Sequence, residues 1–120
     1  PDGAKLLYQE SPFDTWVVNV SEEGSTLTPG RPELVVKRST PVLYPQWFPD
    51  SQHVLYGQQD IIELAEVDPR DGHRIERLVS LNREPEPPRL LENGEVLLTS
   101  ARRDGRNVLL RVFLTTQADR

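Results

Sequence analysis

The chain has 120 residues, a formal net charge of −5, eleven prolines, seven glycines and no cysteine. The acidic balance argues against nucleic acid as a partner, because phosphate binding depends on clustered Lys and Arg side chains. Disulfide and thiol chemistry are excluded, and no apolar run approaches the ~18 residues of a membrane-spanning helix, so we expect no membrane insertion by this segment.

Short apolar segments alternate with turn residues along the chain, prolines and glycines punctuate it at 29–32, 41–49 and 85–88, where long helices cannot run, and no stretch shows sustained helical periodicity. We therefore predict an all-β fold. The predicted strands, in chain order, are Lys5–Glu10, Thr15–Val20, Glu33–Lys37, Val42–Phe48, His53–Gly57, Ile61–Val67, Arg74–Val79, Pro88–Leu91, Val96–Ser100 and Val108–Leu114.

A tight turn followed by a short apolar strand occurs three times, at Pro1-Asp2-Gly3, Pro49-Asp50-Ser51 and Glu92-Asn93-Gly94. The strands recur after 48 residues (Tyr8 to Tyr56) and after 42 residues (Tyr56 to Leu98). A period of ~40–50 residues built from short strands is typical of β-propeller blades. The prediction is an antiparallel β-propeller fragment of about two and a half four-stranded blades. Its first blade (strands B to D) covers about residues 1–40, its complete blade about 41–80, and its third blade (strands A to C) about 84–115.

The segment Pro45-Gln46-Trp47-Phe48-Pro49-Asp50-Ser51 resembles the TolB-type propeller repeat, a WD40-like pattern that reads Pro-x-Trp-Ser-Pro-Asp-Gly. Phe48 and Ser51 depart from that pattern, and Pro1-Asp2-Gly3 matches only its second half. The resemblance implies a binding platform for protein or peptide. It also favours a periplasmic or other extracytoplasmic location, and it makes Trp47 the expected contact between blades.

Candidate catalytic and metal-binding residues are few. His53 and His73 are predicted to lie two strands apart, without the spacing of metal ligands. The acidic run Asp60, Glu63, Glu66, Asp68 and Asp71 lacks the register of a calcium-binding loop, so we interpret it as turn and solvated edge. We find no nucleophile elbow and no glycine-rich phosphate loop. The sequence therefore predicts no catalytic, cofactor-binding or metal-binding residue and no enzymatic activity.

The expected function is a non-catalytic propeller module for protein or peptide interaction or for ligand sensing. Two alternatives stay open: the gating propeller of a prolyl-oligopeptidase-like serine peptidase, and the sensor region of a bacterial membrane-tethered regulator or kinase. The strands at Lys5–Glu10 and Val108–Leu114 are expected to leave open sheet edges and apolar faces. We therefore expect self-association, or association with the remainder of a larger propeller, rather than a stable monomer.

Overall fold

The computed structural model describes residues 5–19, 31–69, 72–91 and 94–114. These residues form an all-β fold of three separate antiparallel sheets, in each of which every strand pairs with its neighbour in sequence. The strands are β1 (Lys5–Tyr8), β2 (Asp14–Asn19), β3 (Pro32–Lys37), β4 (Val42–Trp47), β5 (His53–Gln58), β6 (Ile61–Glu66), β7 (Ile75–Ser80), β8 (Arg89–Leu91), β9 (Val96–Arg103) and β10 (Arg106–Phe113).

The first sheet contains β1 to β3, the second contains β4 to β7, and the third contains β8 to β10. Each predicted strand coincides with one of these elements to within a few residues. The predicted end of the second strand, Val20, and the turns at residues 1–4, 21–24, 70–71 and 92–93 lie outside the described residues. The division into propeller blades stays a prediction.

The hairpin between β9 and β10 is longer than predicted. Arg103 and Arg106 pair directly across a two-residue turn made of Asp104 and Gly105, whose φ angles are 52° and 74°. Two-residue turns with both φ angles positive match the right-handed twist of the flanking strands, so pairing continues up to the turn. The predicted strand ends at Ser100 and Val108 were wrong, since eight consecutive residue pairs connect the two strands.

The first and second sheets pack face to face around a buried cluster. Val17, Val35 and Val36 come from the first sheet, and Val54 and Tyr56 are among the contributions of the second. Trp47 is half-buried and packs against this cluster, as do Leu7 and Ile75. Because side chains alternate between the two faces of a strand, Leu6 and Tyr8 point away from the cluster. Leu6 is 58% exposed.

A second buried cluster lies between the second and third sheets, built on Leu55, Ile62, Leu81, Leu97 and Ala101. Leu81 lies between β7 and β8, and its backbone forms hydrogen bonds with both the second and the third sheet. Its N–H donates to the carbonyl of Asp60 and its carbonyl accepts from the N–H of Arg102, both at 2.7 Å. The second sheet therefore packs against another sheet on both faces, while within the described ranges the first and third sheets each pack against another sheet on one face.

Candidate functional site

A polar network crosses the interface between the first two sheets. The Tyr56 hydroxyl donates to Oε1 of Glu63 at 2.8 Å, and the Arg38 guanidinium donates to the same oxygen at 2.9 Å. Glu63 is only 6% exposed and Tyr56 is fully buried. Burial, reinforced by the hydrogen bond to Glu63, raises the pKa of Tyr56 well above its ordinary value, so this hydroxyl stays protonated and acts as a donor.

This network corrects the interpretation of the acidic run as turn and solvated edge. Glu63 lies in the middle of β6, between buried Ile62 and half-buried Leu64, and its charge is balanced by Arg38 from the segment after β3. Asp60 is exposed in a turn, Glu66 and Asp68 are half-buried, and Asp71 lies outside the described residues. Ile61 and Ala65, which share the face of Glu63 in a strand, are both apolar and buried, and they were the sequence signal of its burial.

The two histidines lie in different surroundings and bind different carboxylates. Nδ1 of His53 is 2.7 Å from Oδ2 of Asp50 in the turn before β5. Nε2 of His73 is 2.8 Å from Oε2 of Glu33, which joins the turn before β7 to β3 of the first sheet. Within the described ranges, no group of three or more His, Asp or Glu side chains is placed to hold a metal ion.

Asp50 organises the turn in which it lies. Its Oδ1 accepts the backbone N–H groups of Gln52 at 2.8 Å and His53 at 3.1 Å. Desolvation alone would raise the pKa of the Asp50 carboxyl, but the hydrogen bonds from His53 and Gln52 outweigh it and lower the pKa. The hydrogen bond to Asp50 raises the pKa of His53 against an opposing desolvation. This geometry supports a structural turn, with Ser51 at φ 59° where the repeat pattern has glycine.

The outer face of the third sheet presents two strongly exposed apolar side chains. It is the face opposite the buried cluster, and strand register places there Leu91, Val96, Leu98, Leu109 and Phe113. Val96 is buried, and Leu91 and Leu98 are half-buried. Leu109 is 69% exposed and Phe113 is 70% exposed. Exposed apolar surface of this kind is typical of an interaction site.

The outer face of the first sheet is apolar as well. The register of β1, β2 and β3 brings Leu6, Tyr8, Trp16, Val18 and Leu34 to the face that points away from the second sheet. Apart from exposed Leu6, these side chains are half-buried. The molecule therefore carries one apolar face at each end of its three-sheet stack. The sequence predicted that the first and last strands would lie at sheet edges, but it could not predict which of their side chains would be exposed.

No protein-family model matches the chain, and no curated protein shows significant similarity to it. The described part of the chain contains no α-helix that could span a lipid bilayer.

Proposed function

We propose that the chain is a non-catalytic interaction module of the β-propeller type, which binds a protein or peptide through the outer surfaces of its first and third sheets. One observation carries this proposal. Both faces of the second sheet are covered by neighbouring sheets, whereas the first and third sheets each present an apolar outer face. Burying apolar surface stabilises an association by roughly 25 cal/mol per Å², so such faces favour a binding partner.

The sheet order supports the propeller assignment within this proposal. Each sheet is an up-and-down arrangement of neighbouring strands, which is how a propeller blade is built, and the three sheets stack face to face. In β1 and β5, Leu7 and Leu55 both face the following sheet. In β9 the residue that faces the side of a following sheet is Leu98, which therefore corresponds to Leu7 and Leu55. The next residue, Thr99, then corresponds to Tyr56. The third repeat then follows the second after 43 residues instead of 42.

A peptide-display selection on the folded chain tests the proposed function. We expect enriched peptides to bind the parent chain and to lose at least tenfold in affinity for the variant Leu109→Ser/Phe113→Ser, because that variant removes the most exposed apolar groups of the third sheet. The matched control is Phe13→Ser/Tyr44→Ser, which removes two exposed aromatic side chains from other parts of the surface.

The selection contradicts the proposal if no peptide is enriched over an unrelated folded bait. It also contradicts the proposal if the selected peptides lose as much affinity for the control variant as for the third-sheet variant. Circular dichroism of each variant, compared with that of the parent chain, establishes that the variants are folded before binding is measured.

A further inference from the structure

Strand β10 differs from the other sheet edges within the described ranges. It pairs with β9 through eight consecutive residues without a register shift, and it has no described partner on its other side. Other edges are interrupted or short: β4 has a register break with Tyr44 at φ 53°, and β8 has three residues and follows a proline-rich segment. A long, regular edge is a template for another strand.

The hydrogen-bonding groups of the open edge can be assigned from the ladder. The N–H of Leu114 donates to the carbonyl of Glu95 at 2.8 Å, so the even-numbered residues of this strand direct their backbone N–H and C=O groups toward β9. Bonded and non-bonded pairs alternate in an antiparallel ladder. The N–H and C=O groups that point away from β9 are therefore those of Asn107, Leu109, Arg111 and Phe113. The same four residues have their side chains on the outer face of the third sheet.

The third sheet is also strongly basic in a chain of net negative charge. Its strands contain Arg89, Arg102, Arg103, Arg106 and Arg111, and they contain no Asp or Glu. Glu95 and Asp104 lie outside the strands, and Glu86 already accepts hydrogen bonds from Arg83 and Ser100. Among the described residues, no ion pair involves Arg89, Arg106 or Arg111.

Arg111 occupies the centre of this surface. Its guanidinium lies 5.4 Å from the ring centroid of Phe113, and strand register places it beside Leu98 and in the same row as Arg89. Leu109 and Phe113 flank it at intervals of two residues on the same face. A strand added to β10 would therefore meet an apolar, a cationic and an apolar side chain in succession.

We propose that the open edge of β10 binds an extended segment of a partner protein, which adds as an antiparallel strand and carries a carboxylate between two apolar residues at positions i, i+2 and i+4. The carboxylate pairs with Arg111, and the apolar residues pack beside Leu109 and Phe113. This inference rests on the proposed function and specifies the partner. Charge argues against a second copy of the chain as the partner. The charged residues of β10 are both arginines, β1 contains a Lys, and β3 and β7 each balance one Glu with one basic residue, so none of these edge strands has a net negative charge.

A fluorescence-anisotropy titration with synthetic ten-residue peptides tests the inference. The probe carries a central Glu with Val or Leu two residues away on either side. The comparison peptides replace that Glu with Gln or Lys, and a fourth peptide keeps the Glu but is N-methylated at alternate amides. We expect the Glu peptide to bind at least tenfold more tightly than the Lys peptide. N-methylation should abolish binding, because the main-chain hydrogen bonds are lost.

Charge reversal of the protein provides the matched test. Arg111→Glu should lower the affinity for the Glu peptide at least tenfold and should raise the affinity for the Lys peptide. Arg77→Glu, the same charge change on the exposed edge strand β7, should leave both affinities within twofold of those of the parent chain. Equal binding of the Glu and Lys peptides, or an equal effect of the two substitutions, would overturn the inference while leaving peptide binding itself in place.

Two further outcomes separate the inference from the proposed function. If none of the extended peptides binds the folded chain although the display selection enriches peptides, the inference fails and the proposed function stands; if the selection enriches no peptide either, both fail. If light scattering shows a dimer at the titration concentration that Arg111→Glu dissociates, a second copy occupies the edge and the assignment to an acidic partner is overturned.

Discussion

A carboxylate that loses its water on folding depends on the donors that replace that water, and Glu63 has two of them. Removing one partner of a buried charged pair leaves the other without compensation, which costs about 3–5 kcal/mol in a fully buried site. Arg38 is partly exposed and can recover some hydration. The cost of replacing Glu63 is therefore expected to lie at or somewhat below the lower limit of that range.

We predict that Glu63→Gln lowers the free energy of unfolding by about 2–3 kcal/mol and that Tyr56→Phe lowers it by about 1–2 kcal/mol. In a double-mutant cycle the two changes should be less than additive, because they share one hydrogen bond. Urea unfolding measures both, with Glu76→Gln on the exposed part of β7 as the control. If Glu63→Gln unfolds at the same urea concentration as that control, the network does not stabilise the fold.

The Asp50–His53 pair predicts a pH dependence whose sign follows from the two pKa shifts. The lowered pKa of Asp50 contributes stability above the unfolded value of about 3.9, and this contribution is lost as pH falls through the folded pKa. The raised pKa of His53 contributes stability that is fully present below about 6.5 and is lost as pH rises through the folded pKa. The pair is therefore most stabilising between about pH 4 and pH 6.5.

Because both side chains are partly exposed, solvent screening keeps the contribution small. We predict that His53→Gln costs about 0.5 kcal/mol at pH 5.5 and that this cost vanishes by about pH 9. Unfolding of the parent and the variant at several pH values measures the difference. A cost that grows between pH 6 and pH 9 would contradict the assignment of the charged pair.

At the level of elements, a glycine in the second sheet allows a connecting segment to approach the strand backbone closely, and the pattern of apolar side chains does not predict this contact. Gly57 in β5 is buried, and a Cβ placed on it would lie 2.7 Å from Cβ and 2.9 Å from Cγ of Pro85, which belongs to the connection between β7 and β8. Neither the strand nor the proline ring can yield easily. The glycine therefore permits the connection to cross the second sheet at this point.

We predict that Gly57→Ala destabilises the fold by about 1–3 kcal/mol, the usual cost of overpacking a well-packed core. Pro85→Gly removes the opposing atoms, so the double variant should be more stable than the sum of the two single changes indicates. Thermal unfolding of the four proteins measures this coupling. Strict additivity would show that the contact with Pro85 is not the reason for the glycine.

The outer elements of the stack explain where binding is proposed. β4 and β8 are unsuited to further pairing, because the first is interrupted near Pro45 and the second is short and preceded by prolines. β10 has neither kind of protection, and its outward side chains include Leu109 and Phe113. The open edge and the apolar face coincide on one strand, which is why the proposed partner segment is placed there.

For the whole molecule, the described sheets form a stack in which the second sheet lies between the first and the third. The second sheet supplies residues to both buried clusters, so both of its faces already pack against a neighbouring sheet. Among the described residues, the first and third sheets each pack against another sheet on one face only. That the isolated chain is not a stable monomer stays a prediction, and so does its place within a larger propeller.

The sequence by itself determined the strand order and most strand positions. Strand pairing between sequence neighbours is a local property, and Pro, Gly and Asp-Gly turns mark where each strand must stop. The hairpin at Asp104-Gly105 is the clearest example, since its two positive φ angles need those residue types.

Only the tertiary structure decided which groups are buried together. Glu63 is an ordinary acidic residue in the sequence, and only the fold brings to it Arg38, from the segment after β3, and Tyr56, from β5. Leu97 and Leu98 are equally apolar in the sequence, but stacking buries the first and turns the second to the outer face. The physical reason is that burial depends on which sheet lies against which face, and that relation joins residues far apart in the chain.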